Sequence, residues 1–294
     1  MHNALFKETG LPHNYSLHET QIVTEELKKT IRSPDFGGAS VTIPLKQEIE
    51  PLLDGVGPEV AIIGALNTIV PEESTDASGK TTTRLVGYNT DYLGMILVLR
   101  NAGAQGGAGT QSALVIGGGG TARAAIYALK SMAYKPIYLL GRSPEKLQKL
   151  ASSFPEDYDI KIVPAGEPIA QHCNILPSVA ISTIPADKPI DDAMRLSVTQ
   201  IFEEGGRKTP PTEKEPKITK PNRPAVGLSE SRILLEMAYK PPVTAMMELA
   251  DQSGWKTVNG LEVLVGQGVY QFKLWTGITP LYESARVSVL ELRF

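Results

Sequence analysis

Three short clusters of polar residues lie at predicted strand ends in the first hundred residues. They contain Thr42 and Lys46, then Asn67, then Asp91. Taken singly, each has a structural explanation: Asp91 as a helix cap, Asn67 as a turn former and Lys46 as a solvent-exposed charge. Together they place four polar side chains at the carboxyl ends of a predicted parallel sheet, which is where such sheets bind ligands.

A glycine-rich stretch follows an apolar strand and opens a helix, in the order ALVIGGGGTARAAIYAL. Gly117, Gly119 and Ala122 fit the pattern G-x-G-x-x-G/A. The first glycine allows a tight turn, the second lets the backbone approach a pyrophosphate, and the helix N-terminus attracts the anion. A glycine turn without a ligand is the alternative, but a strand, a helix and a second strand in this order favour dinucleotide binding.

The end of the second strand predicts which dinucleotide is bound. An NAD site usually has Asp or Glu there, on the ribose 2′-hydroxyl. Here the strand runs into Gly141, Arg142 and Ser143, with Lys146 one helical turn on. Arg142 can stack on adenine and pair with a 2′-phosphate. Either basic residue alone could be a surface charge, but the two together predict NADP.

Composition restricts the function classes. The chain has 294 residues, enough for about two domains. Its net charge of −3 offers no basic surface for nucleic acid. Cys173 is the single cysteine and the four histidines show no metal-ligand spacing, so neither a disulfide framework nor a metal site is predicted. No apolar run reaches the roughly 18 residues of a membrane span, and we expect a cytoplasmic protein.

The first domain is predicted to be a parallel sheet with helices packed on it, because short apolar strands alternate with helical stretches. The predicted strands are Gly38–Ile43 and Ala65–Val70, and the predicted helices are Ile22–Arg32, Gln47–Leu53 and Tyr92–Ala102. A further helix is predicted at the start of the chain, where Gly10 would end it.

The remaining residues divide into two zones. The second is predicted to be a doubly wound domain whose first strand lies in SALVIGGGG, from Ser112, with further strands at 135–140, 160–163, 179–184 and 233–237. Residues 203–231 are rich in Pro, Lys and Glu and are predicted to be a poorly ordered insertion. The third zone reads as helical throughout and should pack back onto the first domain. We therefore predict a substrate domain at 1–103, an NADP-binding domain at 104–240 and returning helices at 241–294.

Seven motifs occur in the order typical of shikimate dehydrogenases: GASVTIPLK, GALNTIV, GYNTD, GGGGTARAA, STIP, MAYKPPVT and GLEVLVGQGVYQFKLWTG. The chain resembles that family over nearly its whole length. The sequences of these motifs most resemble those of the C-terminal dehydrogenase domain of the fungal pentafunctional aromatic-biosynthesis polypeptide. They are also similar to those of the related domain of fungal quinate repressors. The resemblance implies an α/β substrate domain followed by a Rossmann-type NADP-binding domain, with C-terminal helices returning to the first.

The resemblance also implies an activity, the NADP-dependent reduction of 3-dehydroshikimate to shikimate, with Lys46 and Asp91 as the catalytic pair. The implied substrate-binding residues are Thr42, Asn67, Asp91, Tyr239 and Gln267. The implied cofactor-binding residues are Gly117, Gly118, Gly119, Gly120, Thr121, Ala122, Arg142, Ser143, Lys146, Met237 and Gly260. A lysine ammonium beside a carboxylate can stabilise the alkoxide that forms during ketone reduction and can relay its proton.

Two other functions fit the same motifs: a ligand-sensing domain of a quinate-pathway transcriptional repressor, and a quinate dehydrogenase. Retention of both Lys46 and Asp91 favours an enzyme, because a pure sensor need not keep a proton-relay pair. The family usually has a strand and an S-x-S-P segment before the helix that begins here at Met1. Their absence predicts a weakened form or a fragment of a larger multidomain polypeptide.

Overall fold

A computed structural model describes residues 1–46, 48–75, 78–206 and 232–290. The described N-terminal residues form small helices and strands around one four-stranded sheet. In chain order these are α1 (His2–Glu8), α2 (Glu25–Ile31), β1 (Ala39–Ser40), β2 (Gly55–Val56), α3 (Pro58–Ile63), β3 (Thr68–Thr75), β4 (Thr81–Tyr88) and α4 (Asp91–Ala102). Gly10 has a positive φ of 70° just beyond α1, as the predicted helix end requires.

The first sheet is mixed, so the prediction of a parallel sheet was wrong here. Its strand order is β1-β3-β4-β2, with β3 antiparallel to both β1 and β4, and with β2 and β4 parallel. The link between Thr75 and Thr81 is too short for a parallel crossover, which needs a dozen or more residues, so β3 and β4 form a hairpin. The predicted helix Gln47–Leu53 was also wrong: a 3₁₀ turn spans Glu50–Leu52, where a proline opposes α-helical continuation.

The second sheet is wholly parallel and has the strand order β10-β9-β8-β5-β6-β7. Its elements are β5 (Ala113–Ile116), α5 (Gly120–Ser131), β6 (Ile137–Gly141), α6 (Pro144–Ala151), β7 (Ile160–Pro164), β8 (Val179–Ser182), α7 (Asp192–Gly206), β9 (Ile233–Glu236), α8 (Ala245–Gln252) and β10 (Lys256–Asn259). The four central strands are buried on both faces, which explains their continuous apolar sequences. The order matches the 3-2-1-4-5-6 arrangement of Rossmann domains.

Two details of the predicted second and third zones were wrong. Residues 203–206 belong to α7, whose buried Met194, Val198 and Phe202 form an apolar stripe at helical spacing. The rest of the predicted insertion, residues 207–231, lies outside the described residues. The third zone is not purely helical, because β10 pairs with β9 at the edge of the Rossmann sheet. The domain limits at residues 103 and 240 stay a prediction.

The C-terminal helices α9 (Gly260–Thr276) and α10 (Tyr282–Leu290) return to the first domain, as predicted. Helix α9 packs along α4, and two glycines allow this close approach. A Cβ on Gly94 would lie 2.7 Å from the backbone nitrogen of Gln267, and one on Gly266 would lie 3.1 Å from the Cα of Gly94. Across the parts of the chain that the structure describes, no helix has the length and apolar character needed to cross a membrane.

Candidate active site

Lys46 and Asp91 form an ion pair. The Lys46 Nζ donates to the Oδ2 of Asp91, and the two side chains are 21% and 14% exposed. Lys46 lies in the turn region after β1, and Asp91 is the first residue of α4, where the helix dipole stabilises a carboxylate. The backbone N–H of Asp91 donates to the Oδ1 of Asn89 at 3.0 Å, which fixes the start of this helix. The carboxylate is thereby left to face the lysine ammonium.

Asn67 holds the other oxygen of this carboxylate. It is 2% exposed, and its Nδ2 donates to Asp91 Oδ1 at 2.8 Å and lies 3.1 Å from the Oε1 of Gln267. Its Oδ1 accepts from the backbone N–H of Thr90 at 2.7 Å and from the hydroxyl of Thr68 at 2.8 Å. A buried amide with all these partners has one orientation, so Asn67 fixes both Asp91 and Gln267.

Gln271 supports this cluster and was missed by sequence reasoning. It is buried, accepts from the Ser40 hydroxyl at 2.8 Å and donates to the backbone oxygen of Asn67 at 3.0 Å. The available signal was its position four residues after Gln267, which places both amides on one face of a predominantly apolar helix.

The structure brings Lys46, Asn67, Asp91 and Gln267 together but leaves two predicted substrate contacts at the surface. Thr42 is exposed, and its backbone oxygen accepts from the N–H of Leu45 in the turn that leads to Lys46. Tyr239 is also exposed, in the segment between β9 and α8.

The glycine loop has the form that a dinucleotide pyrophosphate requires. Gly117 has a φ of +117°, and a Cβ there would lie 2.4 Å from the Thr183 hydroxyl. Gly118, Gly119 and Gly120 are exposed, and a Cβ on Gly119 or Gly120 would meet nothing within 4 Å. These last two glycines therefore have no internal packing reason. The open space beside them fits a phosphate group that approaches the N-terminus of α5.

The next two residues of the motif continue from this loop into α5. Thr121 is half-buried in the first turn of the helix, and Ala122 is fully buried. The small side chain of Ala122 permits the close packing of helix on strand that the motif predicts.

The residues predicted to bind a 2′-phosphate lie at and just beyond the end of β6. Arg142 and Lys146 are exposed, and the Ser143 hydroxyl caps α6 by accepting from the backbone N–H of Lys146 at 3.5 Å. A carboxylate from elsewhere in the chain also lies beside Arg142. Asp191, which caps α7 through the N–H of Met194, has its Oδ2 3.7 Å from the Nε of Arg142. It comes from a distant part of the chain, so inspection of the strand end could not reveal it.

Met237 and Gly260 also lie together. A Cβ on Gly260 would lie 2.2 Å from the backbone oxygen of Met237, so this position accommodates only glycine without a backbone shift. The carboxyl ends of β5, β6 and β9 share one edge of the parallel sheet, so Met237 lies on the same edge as Gly117 and Arg142.

Helix α9 connects this edge of the sheet to the polar cluster, which consists of Lys46, Asn67, Asp91 and Gln267. It begins at Gly260, against Met237, and reaches Gln267, against Asn67, seven residues later. At about 1.5 Å per residue the two contacts are roughly 10 Å apart along the helix axis. The contact at Met237, a residue predicted to bind the cofactor, and the cluster around Lys46 are therefore joined by two turns of one helix.

Arg123 forms a second connection between the domains. It lies one turn into α5, and its guanidinium donates to the backbone oxygens of Ile63 and Ile62 at the end of α3 and to the Ser153 hydroxyl. Burial lowers the pKa of this guanidinium. The residues after α3 lead to Asn67, so Arg123 ties the helix of the glycine loop to the segment that carries the polar cluster.

Comparison with known proteins agrees with this architecture. The shikimate dehydrogenase substrate binding domain family matches residues 1–69, and the shikimate 5′-dehydrogenase C-terminal domain family matches residues 260–286. The dehydroquinate dehydratase and shikimate dehydrogenase structure from S. pombe AroM is 34% identical with a TM-score of 0.80, and the match covers 98% of this chain. The chain belongs to the shikimate dehydrogenase family. It spans about half the length of the S. pombe chain, at 49%.

Two other solved structures support the family assignment and the fold. Shikimate dehydrogenase from Aquifex aeolicus is 28% identical with a TM-score of 0.71, and the match covers 98% of this chain and 90% of that one. A shikimate dehydrogenase in complex with NADP⁺ is 26% identical with a TM-score of 0.70, and the match covers 99% of this chain and 88% of that one. The predicted α/β fold with a Rossmann-type second sheet and returning helices is confirmed.

Proposed function

We propose that the chain is an NADP-dependent shikimate dehydrogenase that reversibly reduces 3-dehydroshikimate to shikimate. The observation that carries the proposal is the Lys46–Asp91 ion pair, whose carboxylate also accepts a hydrogen bond from the buried amide of Asn67. Both groups are partly shielded from water, where electrostatic stabilisation of a developing charge is stronger than in bulk solvent. The reaction belongs to the chorismate branch of aromatic biosynthesis.

The chain's own groups provide the proton and the binding energy. With NADPH held by the glycine loop, the cofactor would supply the hydride chemistry at the carbonyl carbon. As negative charge develops on the carbonyl oxygen, the Lys46 ammonium stabilises it and donates a proton to it. Asp91 keeps the ammonium in place and accepts a hydrogen bond from a neighbouring substrate hydroxyl. In the oxidation direction the neutral Lys46 amine takes the hydroxyl proton.

The other predicted contacts have defined parts in this proposal. Asn67 and Gln267 bind ring hydroxyls, while Thr42 and Tyr239 lie on exposed segments that face substrate on binding. The glycine loop (Gly117, Gly118, Gly119, Gly120, Thr121 and Ala122), with Arg142, Ser143 and Lys146, holds the cofactor. Met237 and Gly260 contact the nicotinamide ring. Family members solved with NADP⁺ support the choice of cofactor.

We also propose that the chain belongs to the fungal branch of the family and is part of a multidomain polypeptide. The match to the S. pombe structure supports this, because its identity of 34% exceeds those of the two other structures and it pairs a dehydrogenase with a dehydratase.

The test is a NADPH oxidation assay with 3-dehydroshikimate, with Lys46→Ala beside the matched control Lys28→Ala. Lys28 is a surface lysine paired with Glu25 on α2, so its loss should leave turnover unchanged. Turnover that disappears only in Lys46→Ala supports the proposal. NADPH binding without reduction of 3-dehydroshikimate, and without oxidation of quinate by NADP⁺, would instead favour a ligand-sensing domain. Oxidation of quinate in preference to shikimate would favour a quinate dehydrogenase.

A further inference from the structure

Glu236 is a buried carboxyl at the carboxyl edge of the Rossmann sheet. It ends the otherwise apolar strand β9 and is 1% exposed. Its side chain points to the same face of the sheet as Leu234, which is part of an apolar core. Burial raises the pKa of this carboxyl to about 7. A packing role alone would be filled by an apolar side chain at far lower cost, so the carboxyl requires another explanation.

The two oxygens of Glu236 hold both ends of the segment that follows the strand. Oε1 accepts from the backbone N–H of Ala238 at 3.0 Å, and Oε2 accepts from the Thr244 hydroxyl at 3.2 Å. Thr244 also caps α8 by accepting from the N–H of Met247 at 3.2 Å. The Glu236 carboxyl therefore holds both ends of residues 237–244 by hydrogen bonds.

The other described groups around the Glu236 carboxyl do not compete with residues 237–244 for its hydrogen bonds. A cavity of about 20 Å³ adjoins Glu236 and Thr244, with Lys188 on its wall, and has room for about one water molecule. The Ser182 hydroxyl, opposite Glu236 in the strand register, is buried near the carboxyl but lacks hydrogen-bond geometry to any described partner. The carboxyl's strongest fixed contacts are thus those to the segment itself.

We propose that Glu236 is a positioning residue that holds residues 237–244 against the sheet and thereby sets how Met237 and Tyr239 meet the nicotinamide and the substrate. The inference rests on the proposed function for the parts of Met237 and Tyr239. Two further contacts show that this segment is fixed rather than packed loosely: the Asn259 Nδ2 donates to the backbone oxygen of Pro242 at 2.6 Å, and Gly260 lies against Met237. Glu236 supplies a further restraint on either side of Tyr239.

The experiment measures amide hydrogen exchange of residues 237–244 together with NADPH affinity and shikimate kinetics. Glu236→Gln keeps the shape of the side chain but cannot accept from Thr244 as a carboxylate does. Thr244→Val removes the partner hydroxyl, while Thr244→Ser keeps it. Glu262→Gln is the matched control, because the hydrogen bonds that Glu262 accepts come from Tyr282 and Arg286 of α10.

We expect Glu236→Gln and Thr244→Val to speed exchange in this segment and to raise the NADPH Kd and the shikimate KM roughly tenfold, with kcat changed by less than about threefold. Thr244→Ser and Glu262→Gln should behave as the unaltered chain does. Unchanged exchange in both test variants would overturn the proposal. Faster exchange with unchanged Kd and KM would overturn it too, since the restraint would then be irrelevant to the site.

Failure of the proposed function can be distinguished from failure of the role proposed for Glu236. If the unaltered chain binds NADPH without turnover, the dehydrogenase assignment is refuted, while exchange and NADPH affinity still decide the part of Glu236. If it binds no NADPH at all, both are overturned. If Glu236→Gln does not fold, the comparison of Thr244→Val with Thr244→Ser decides the question alone.

Discussion

The pH dependence of stability gives a direct measure of Glu236 in the folded protein. The carboxyl has an ordinary pKa of 4.5, and burial raises it to about 7 in the native state. Between these values the folded chain holds a proton that the unfolded chain has released. Stability from this group is therefore fully present below about pH 4.5 and is lost as the pH rises through about 7.

The magnitude follows from the two pKa values. At about 1.36 kcal/mol per pH unit, the rise from 4.5 to about 7 corresponds to roughly 3 kcal/mol of unfolding free energy. Glu236→Gln removes the titrating group and keeps an amide that can still accept from the N–H of Ala238. Relative to Glu236→Gln, the unaltered chain should therefore lose roughly 3 kcal/mol of unfolding free energy as the pH rises from about 4.5 to about 8.

The assay is urea unfolding of both proteins at several pH values, followed by circular dichroism. Taking the difference between the two proteins at each pH cancels the titration of all other groups that the substitution leaves alone. The difference in unfolding free energy between the unaltered chain and Glu262→Gln, measured at the same pH values, is the control for a glutamate on the C-terminal helices. A difference between the unaltered chain and Glu236→Gln that stays flat across this range, or moves in the opposite direction, would refute the assignment of a raised pKa to this carboxyl.

Further substitutions test the site. Lys46→Ala and Asp91→Ala should each lower kcat by about 10²–10⁴-fold with little change in NADPH Kd by calorimetry; near-normal turnover would assign that residue to structure. Arg142→Ala should weaken NADPH roughly tenfold and spare NADH, whereas equal loss of both would contradict a 2′-phosphate contact. Asp191→Asn keeps the helix cap and should tighten NADPH up to about fivefold, since an exposed ion pair is worth about 0.2–1 kcal/mol; weaker binding would argue against competition for Arg142. Gly260→Ala should lower the Tm by roughly 3–10 °C in scanning calorimetry, and an unchanged Tm would show that the facing carbonyl can move.

The second domain could be predicted from the sequence because its central strands are buried on both faces and read as continuous apolar runs. The first sheet could not be predicted in the same way. Half of β4 is exposed and rich in threonine, so no apolar run marks it as a strand. The Ser78–Gly79 turn signal before it could therefore not be recognised as the link of a hairpin between β3 and β4. Strand β10 is short and polar and is recognisable only from its pairing with β9.

The candidate site shows a similar division. The glycine loop could be predicted from local spacing, because all its parts lie within one strand–turn–helix unit. The pairing of Lys46 with Asp91 could be proposed only through the family resemblance, since 45 residues separate them and a single sequence carries no signal for such a contact. The contact of Asp191 with Arg142 and the part of Gln271 depend on tertiary packing in the same way, and both were missed.

The link between the two domains explains why these separate predictions meet in one site. Arg123 belongs to the glycine-loop motif, yet its guanidinium donates to the last carbonyls of α3, just before the turn that carries Asn67. Those carbonyls form the negative end of a helix, where a buried cation is stabilised. On the other side α9 joins Gly260 to Gln267. The cofactor loop and the polar cluster are thus held to each other at two places, by a charged contact and by a rigid helix. A change in either contact should alter the distance between the glycine loop and the Lys46–Asp91 pair before it alters either group itself.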